Sequence, residues 1–349
     1  MANSVAALPG QPKSGDFDDP SRCYRGAMAV LTAIDPSEAQ EIAKAHGLGD
    51  LRSLEGIAAG SVNSNFSVVL GGVRFFLRVY EERDLAGARG EAAMLERLAR
   101  AGVPTPAPLR RLDGEHVSVL RGKPAALLPW RQGSMRCQAA VTPNDTRLVG
   151  RELARIHVAG ATEACELGRF RYEDLRGRLR AIEKRADGRF VEVVPRVSDA
   201  LNRAHAARDT GLPHGLIHGD LFRDNVLWNE DGAVSALLDF ESASEGTYAY
   251  DLMVCVLSWC VGRDLDARLA ASMRAGYESV RPLSDRERRA LPAEGAFAAL
   301  RFTITRITDY ALRSDVAGPR VVKDWRRFWM RHERLLALGP EGLARVLDS

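Results

Sequence analysis

The sequence contains little lysine, little cysteine and no long hydrophobic run, and these shortages narrow the class of protein. Only five of its 49 basic residues are lysine, so the chain carries its positive charge on arginine. The formal net charge is nevertheless only +3, which gives no electrostatic basis for binding nucleic acid or an acidic membrane surface. We therefore expect neither partner.

The five cysteines form neither a paired framework nor a close metal-ligand cluster. Cys255 and Cys260 lie in an apolar run, as small core residues do, which favours a reducing, cytoplasmic location. No apolar stretch approaches the roughly 20 residues that cross a bilayer. The N-terminus also lacks the basic start and hydrophobic centre of a signal peptide.

Composition and periodicity divide the chain into three parts. Residues 1–27 are rich in Pro, Gly, Ser and Asp without periodicity, which predicts a disordered tail. Residues 28–129 alternate strand-like runs with helical segments, including the capped helix “DPSEAQEIAKAHGLG” and the hairpin signal “LGG”. Residues 130–349 are mostly helical. We predict an α+β fold with a small β-rich lobe, a larger helical lobe and a ligand-binding cleft between them.

The segment “LIHGDLFRDNVLW” (216–228) places polar residues between apolar ones, with Asp220 five residues before Asn225. Asp239 ends the apolar run “ALLD” fourteen residues later. Carboxylate and amide oxygens suit Mg²⁺, and a further carboxylate can accept a proton from an attacking hydroxyl, so the set fits phosphoryl transfer. The alternative is that Asp220 and Asp224 cap turns while Asn225 forms an Asx turn.

“HGDLFRDNVLW”, followed by “LLDFE” and “YDL”, resembles the catalytic segments of the aminoglycoside-phosphotransferase and choline-kinase group. The resemblance implies a two-lobed protein-kinase-like fold, ATP and Mg²⁺ as cofactors, and a small-molecule substrate. It makes Asp220 the catalytic base and Asn225 and Asp239 the metal ligands. His218 would be a structural residue of the catalytic loop, which Asp251 would brace from the start of a helix.

Longer segments, among them “GRELARIHVAG” and “VRPLSDRERRALPAEGAFAALRFTITRITDY”, are similar to bacterial homoserine kinases from residue 28 to about 335. This resemblance implies ATP-dependent phosphorylation of the side-chain hydroxyl of L-homoserine in threonine biosynthesis. Two alternatives stay open: a kinase for another hydroxylated molecule, such as an amino alcohol, a sugar or an aminoglycoside, and a catalytically silent binding module. The joint presence of Asp220, Asn225 and Asp239 speaks against the silent module.

We expect nucleotide binding in the β-rich lobe. The loop at 56–66, with Gly60 and Ser61 closest, is expected to cover the triphosphate through backbone N–H groups. At the end of the segment “AALLPW”, backbone groups of Leu128 and Trp130 are expected to contact adenine at the hinge. The alternative for Trp130 is that its ring fills the core.

The chain departs from the family pattern near the nucleotide. Aminoglycoside phosphotransferases carry a phosphate-orienting Lys on the strand where “FFLRVY” has Arg78. We predict that Arg78 pairs with Glu91 on the next helix to orient the ATP phosphates, the alternative being a surface Arg and a helix-start Glu. Gly219 also stands where the family commonly has Ala.

The substrate site is predicted from four charged residues. “DFES” replaces an aromatic-containing sequence after the metal-binding Asp, and we expect its Glu241 near the substrate end of the cleft. Arg301 and Arg306 lie on an otherwise apolar helical segment and would suit a substrate carboxylate. Glu241 or Asp309 would then bind the substrate ammonium. Ordinary helix-surface ion pairs are the alternative.

Residues 1–27 are predicted to be dispensable, and Met28 is a candidate for the true start. A chain that begins at Met28 should match the full chain in melting temperature and activity, because the tail lacks the apolar periodicity needed for packing. Thermal unfolding and kinase assays on both chains test this. A marked loss in either would show that the tail docks.

Overall fold

The computed structural model describes residues 31–57, 63–161, 166–185, 188–313 and 323–349. The predicted tail at 1–27 lies outside the described residues. So do Gly60 and Ser61 of the loop predicted to cover the triphosphate. Everything below concerns the described ranges.

The N-terminal part is built on a five-stranded antiparallel sheet with the strand order β1-β2-β3-β5-β4. The predicted hairpin turn at “LGG” joins β2 to β3. Gly71 and Gly72 have φ of +56° and +88°, consecutive left-handed conformations that glycine adopts readily. The elements in chain order are α1 (Pro36–Ala45), β1 (Leu51–Ile57), β2 (Ser64–Leu70), β3 (Val73–Val79), α2 (Leu85–Arg100), β4 (Val117–Leu120) and β5 (Lys123–Pro129).

Local sequence signals explain both helices of this part. Asp35 caps α1 by accepting hydrogen bonds from the backbone N–H groups of Ser37 and Glu38, and the Glu38 carboxylate accepts one from Asp35 in return. On α2, the buried face carries Ala92 and Leu95, but it also carries Glu91. A buried carboxylate on an apolar face requires a partner, and this one lies toward the cleft.

The C-terminal part is a helical lobe that contains two short antiparallel ribbons, β6 with β9 and β7 with β8. Ile217 at the end of β6 pairs with Ser244 of β9, which brings the segments after β6 and before β9 to the same edge. The elements are α3 (Pro143–Ala159), α4 (Tyr172–Arg185), α5 (Val193–Ala206), β6 (His214–Ile217), β7 (Val226–Trp228), β8 (Val234–Leu237), β9 (Ser244–Thr247), α6 (Tyr248–Trp259), α7 (Ala267–Glu278), α8 (Asp285–Asp309) and α9 (Arg326–Asp348).

Helix α8 is longer than the sequence pattern indicates, because it continues through Pro292 for 25 residues. Two buried acids on the same helix form ion pairs, one on each side of the proline. Glu294 accepts two hydrogen bonds of 2.8 Å from Arg208, and Glu287 pairs with Arg281 at 2.8 Å. The helix is thereby anchored on both sides of a residue that removes one of its backbone hydrogen bonds.

Glycine lets helices α3 and α7 approach each other unusually closely. A Cβ on Gly150 would lie 2.1 Å from the carbonyl oxygen of Met273, and one on Gly276 would lie 1.9 Å from that of Arg147. Backbone atoms cannot move aside as flexible side chains do. The contact therefore depends on glycine at both positions.

The predicted α+β fold with two lobes is confirmed, whereas the exact division at residues 129 and 130 stays a prediction. Each lobe has its own apolar core, and Leu95 and Leu98 of α2 pack into the core of the helical lobe. None of the helices in the described ranges is long and apolar enough to cross a membrane.

Gly276→Ala should destabilise the protein by about 1–3 kcal/mol, because the methyl group collides with the backbone of α3. Gly177→Ala is the matched control on α4, where an added Cβ meets nothing within 4 Å. The control should be neutral or stabilising by up to about 1 kcal/mol. Denaturant unfolding measures both, and equal stabilities of the two variants would contradict the close approach of α3 and α7.

Candidate active site

The loop after β6 is held by a buried carboxylate from the first turn of α6. Asp251 accepts hydrogen bonds from the backbone N–H groups of His218 at 2.7 Å and Gly219 at 2.8 Å. His157 Nε2 lies 3.1 Å from the same carboxylate. Burial alone would raise the pKa of Asp251, but the interactions with His157 and His218 together outweigh burial and lower the pKa. The charged carboxylate thus fixes the loop that carries Asp220.

Two residues of this loop join it to the segment after β8. The ring of His218 is buried, with Nε2 3.0 Å from the carbonyl oxygen of Leu238. Gly219 has φ of +73°, and a Cβ there would lie 2.9 Å from the carbonyl oxygen of Ser242. Alanine would be strained at this position, so the departure at Gly219 has a structural reason.

Asp220 and Arg301 face each other in the cleft. Arg301 Nη1 lies 3.7 Å from Asp220 Oδ1, and the arginine side chain is only 4% exposed. Its guanidinium lies between the rings of Phe170 and Phe302, with Cζ 4.0 and 3.7 Å from their centroids. Burial raises the pKa of Asp220 to about 6, although the charges of Arg301 and Lys323 lower it. A carboxylate with such a pKa is a better proton acceptor than an ordinary Asp.

The predicted metal ligands lie next to this pair. Asn225 donates from Nδ2 to the carbonyl oxygen of Asp220 at 2.8 Å, which leaves its Oδ1 free to bind a cation. The backbone N–H of Leu238 donates to the Asn225 carbonyl oxygen at 2.9 Å and so places Asp239 beside it. Asp239 has a left-handed backbone with φ of +61°, and its side chain does not cap the turn that follows.

These donors fit Mg²⁺ bound together with phosphate. Within the described ranges, no group of three or more His, Cys, Asp or Glu side chains is arranged to hold a metal ion. One carboxylate and one amide oxygen leave most positions of Mg²⁺ to water and phosphate oxygens, which is how Mg²⁺ is commonly bound beside nucleotides. The metal-binding roles of Asn225 and Asp239 stay predictions.

A second cluster connects β3 to α2. The structure brings Arg78 and the buried Glu91 together, with Nη1 3.3 Å from Oε1. Arg83 Nε lies 3.3 Å from the other carboxylate oxygen, and the Tyr80 hydroxyl donates to Oε1 at 3.2 Å. Burial alone would lower the pKa of Arg78, but the charge of Glu91 outweighs it and the pKa is raised. Arg78 is therefore a permanent cation at the nucleotide side, whose role toward phosphate stays a prediction.

The expected position of Glu241 at the substrate end of the cleft is corrected by the structure. Its carboxylate accepts a hydrogen bond from Asn63 and lies 3.8 Å from Arg78 Nη1. Arg83 donates to its carbonyl oxygen at 3.0 Å. The left-handed backbone of Asp239 and the short 3₁₀ turn after it direct Glu241 toward the N-terminal lobe. Burial and the neighbouring charge of Asp239 raise the pKa of Glu241 to about 7.

Of the other residues predicted to bind substrate, Arg306 and Asp309 already contact other protein groups. Arg306 donates to the carbonyl oxygen of Asp324 at 2.9 Å, and burial lowers its pKa to about 10. Asp309 pairs with Arg178 at 2.6 Å. Of the two arginines predicted on α8, Arg301 forms an ion pair with Asp220, whereas the charge of Asp220 acts on Arg306 only at longer range.

The hinge residues lie at the end of β5, where β4 no longer covers the strand. Leu128 is buried and pairs with Phe76 of β3, while β4 pairs only as far as Ala126. The ring of Trp130 stacks under the guanidinium of Arg74, with Cζ 3.7 Å from its centroid. One face of the indole is thus occupied, and adenine contact by Leu128 and Trp130 stays a prediction.

The geometry agrees with comparisons at the family level. The sequence profile of the phosphotransferase enzyme family matches residues 53–291, which include Asp220, Asn225, Asp239 and the pair of Arg78 and Glu91 but not Arg301. The chain belongs to this family. A protein of Gluconacetobacter diazotrophicus named homoserine kinase is 37% identical, with 81% of this chain and 89% of the relative aligned. A homoserine kinase of a Caulobacter species is 36% identical over 91% and 98% of the two chains.

Solved structures confirm that this phosphotransferase has the protein-kinase-like fold. Spectinomycin phosphotransferase with ADP and spectinomycin aligns with a TM-score of 0.64 at 13% identity, over 91% of this chain and 99% of that one. An amicoumacin kinase aligns at 0.65 and 15%, over 88% and 94%. A microcompartment-associated aminopropanol kinase aligns at 0.59 and 18%, over 90% and 98%. With the family match and the named relatives, these findings make the protein an ATP-dependent kinase.

Sequence reasoning missed the partners of the catalytic loop in this phosphotransferase. His157 lies in the quoted segment “GRELARIHVAG”, but its role becomes visible only when Asp251 and Tyr277 are seen on its two ring nitrogens, at 3.1 and 2.7 Å. Its one sequence signal is a histidine on the apolar face of α3. Arg83 and Lys323 were likewise not singled out.

Asp251→Asn should lower the melting temperature by several degrees and reduce kcat, because an amide directs N–H toward backbone donors. An unsatisfied buried group costs about 1–3 kcal/mol. The control is Asp266→Asn at the N-cap of α7, where Asn caps as well as Asp. Thermal unfolding and steady-state kinetics distinguish the two. A wild-type melting temperature for Asp251→Asn would contradict the bracing role.

Proposed function

We propose that this enzyme is a homoserine kinase that transfers the γ-phosphoryl group of ATP to the side-chain hydroxyl of L-homoserine. The product would be O-phospho-L-homoserine, an intermediate of threonine biosynthesis. The names of the relatives support the acceptor, and the geometry around Asp220 supports the chemistry. Family membership alone leaves the acceptor open, since related folds serve antibiotics and amino alcohols.

The observation that carries the proposal is that Arg301 is buried with unsatisfied hydrogen-bond donors. Its side chain is almost completely buried, yet Nε and Nη1 have no hydrogen-bond partner among the described residues. Buried N–H donors without hydrogen-bond acceptors are costly, so a carboxylate that reaches this guanidinium gains a strong charge-assisted bond. Homoserine carries its carboxylate a short aliphatic chain away from its hydroxyl. One molecule can therefore contact Arg301 and Asp220 together.

Asp220 would act as the base in this reaction. Its carboxylate accepts the proton of the homoserine hydroxyl, whose oxygen then attacks the γ-phosphorus of ATP. Arg301 has two functions here, since it keeps Asp220 ionised and fixes the substrate carboxylate. The backbone bonds from Asp251 hold the loop in place, so little reorganisation is needed during the reaction.

The nucleotide would lie between the two clusters. Mg²⁺, when bound, neutralises phosphate charge, and Asn225 and Asp239 would hold it. Arg78 would orient the phosphates, with Glu91 fixing its guanidinium from behind. Gly60 and Ser61 are proposed to cover the triphosphate, and the end of β5 to receive adenine.

The purified enzyme should release ADP much faster with L-homoserine than with serine, choline, kanamycin or aminopropanol. Serine is one methylene shorter, which would draw its hydroxyl away from the base once its carboxylate is bound to Arg301, while choline and kanamycin bring cations to the arginine. An ADP-release assay across these acceptors, with Mg²⁺, tests the proposal. Asp220→Asn should lose turnover by about 100- to 10,000-fold with little change in ATP binding, and Asp231→Asn on an exposed turn is the control. Faster ADP release with any other acceptor would contradict the assignment of L-homoserine as the substrate.

A further inference from the structure

Lys323 lies against the catalytic loop, and neither the motifs nor the proposed mechanism assigns it a role. Its Nζ is 3.7 Å from Oδ2 of Asp224, in the same loop as Asp220, and its side chain is 34% exposed. After Arg301, it is the second cation whose charge lowers the pKa of Asp220. In a chain with five lysines, this one reaches the cleft.

Helices α8 and α9 together hold the backbone around Lys323. Arg306 of α8 donates to the carbonyl oxygen of Asp324 at 2.9 Å. The Asp324 carboxylate accepts a hydrogen bond of 2.9 Å from the backbone N–H of Arg326 at the start of α9. Trp325 between them is buried. The main chain that follows Lys323 is therefore anchored by both helices, and the lysine side chain extends to the loop.

Three arginines near the site are already engaged or enclosed by other protein groups. Arg78 is paired with Glu91, and Arg306 is bonded to a backbone carbonyl oxygen. Arg301 lies enclosed between two aromatic rings. Lys323 differs because its partner Asp224 is itself 37% exposed. An ion pair between partly exposed groups is weak, so the ammonium can leave Asp224 for a stronger anion.

We propose that Lys323 is a further catalytic residue whose ammonium binds the phosphoryl group while it is transferred. The inference rests on the proposed phosphorylation of a hydroxyl at Asp220. In that step the hydroxyl gives its proton to Asp220 and its oxygen bonds to the γ-phosphorus. The bond from phosphorus to the bridging oxygen breaks, and its electron pair leaves with ADP. The non-bridging oxygens stay negative throughout, and an ammonium on a flexible stem can follow them.

Lys323→Met should lower kcat by about 100- to 1,000-fold, as the loss of one transition-state donor does. The KM for homoserine and the affinity for ATP should stay close to wild type, because the contact forms only in the transition state. Lys323→Arg should recover part of the loss. Lys184→Met, on the exposed face of α4, is the control and should match wild type. Melting temperatures of all four proteins establish that they are folded.

Two acceptor-independent measurements separate this inference from the choice of substrate. The slow hydrolysis of ATP without an acceptor should fall in Lys323→Met. Titration should show weaker binding of ADP with aluminium fluoride, which imitates the phosphoryl group during transfer. The affinity of the variant for ATP should stay unchanged. If wild type fails with homoserine, the proposed acceptor is wrong, yet both measurements still test Lys323. Unchanged hydrolysis and unchanged aluminium fluoride binding would overturn the role. So would a rise in homoserine KM alone, which would make Lys323 a carboxylate anchor.

Discussion

The contact between Arg301 and Asp220 is the constraint on which the rest of the site depends. It places a nearly buried cation 3.7 Å from a partly exposed carboxylate, too far for a hydrogen bond and close enough for each charge to stabilise the other. Removing Asp220 would leave the buried Arg301 without its nearest opposite charge, which is destabilising. The elements that carry the two residues must therefore be held firmly: backbone hydrogen bonds to the buried Asp251 hold the loop, and ion pairs of Glu287 and Glu294 hold α8.

A continuous polar network connects those two elements through the helical lobe. Asp251 holds the catalytic loop and contacts His157, whose other ring nitrogen lies 2.7 Å from the Tyr277 hydroxyl. Arg281 donates to that hydroxyl at 3.2 Å and also pairs with Glu287, which closes the capping box at the start of α8. The glycines between α3 and α7 bring His157 and Tyr277 within reach. The loop bearing Asp220 and the helix bearing Arg301 thus share one scaffold.

Features set by neighbouring residues could be predicted from the sequence, and features set by distant partners could not. The cap at Asp35, the glycine hairpin and the spacing of Asp220, Asn225 and Asp239 are local signals. By contrast, His157 and Tyr277 are 120 positions apart, and the direction of Glu241 depends on a left-handed Asp239 that no propensity indicates. Five positions apart on one helix, Arg301 and Arg306 point about 140° away from each other. Helical geometry alone therefore implies that only one faces Asp220, but the fold decides which.

The central claim is that Arg301 recognises the substrate carboxylate beside the base. The most direct test compares L-homoserine with the aminopropanol that lacks its carboxylate, on wild type and on Arg301→Met, and measures kcat/KM for all four combinations. The account predicts that wild type strongly prefers homoserine and that this preference collapses in the variant, since the variant removes the group that reads the carboxylate. An equal preference for homoserine in both proteins would contradict it, because the carboxylate would then be bound elsewhere.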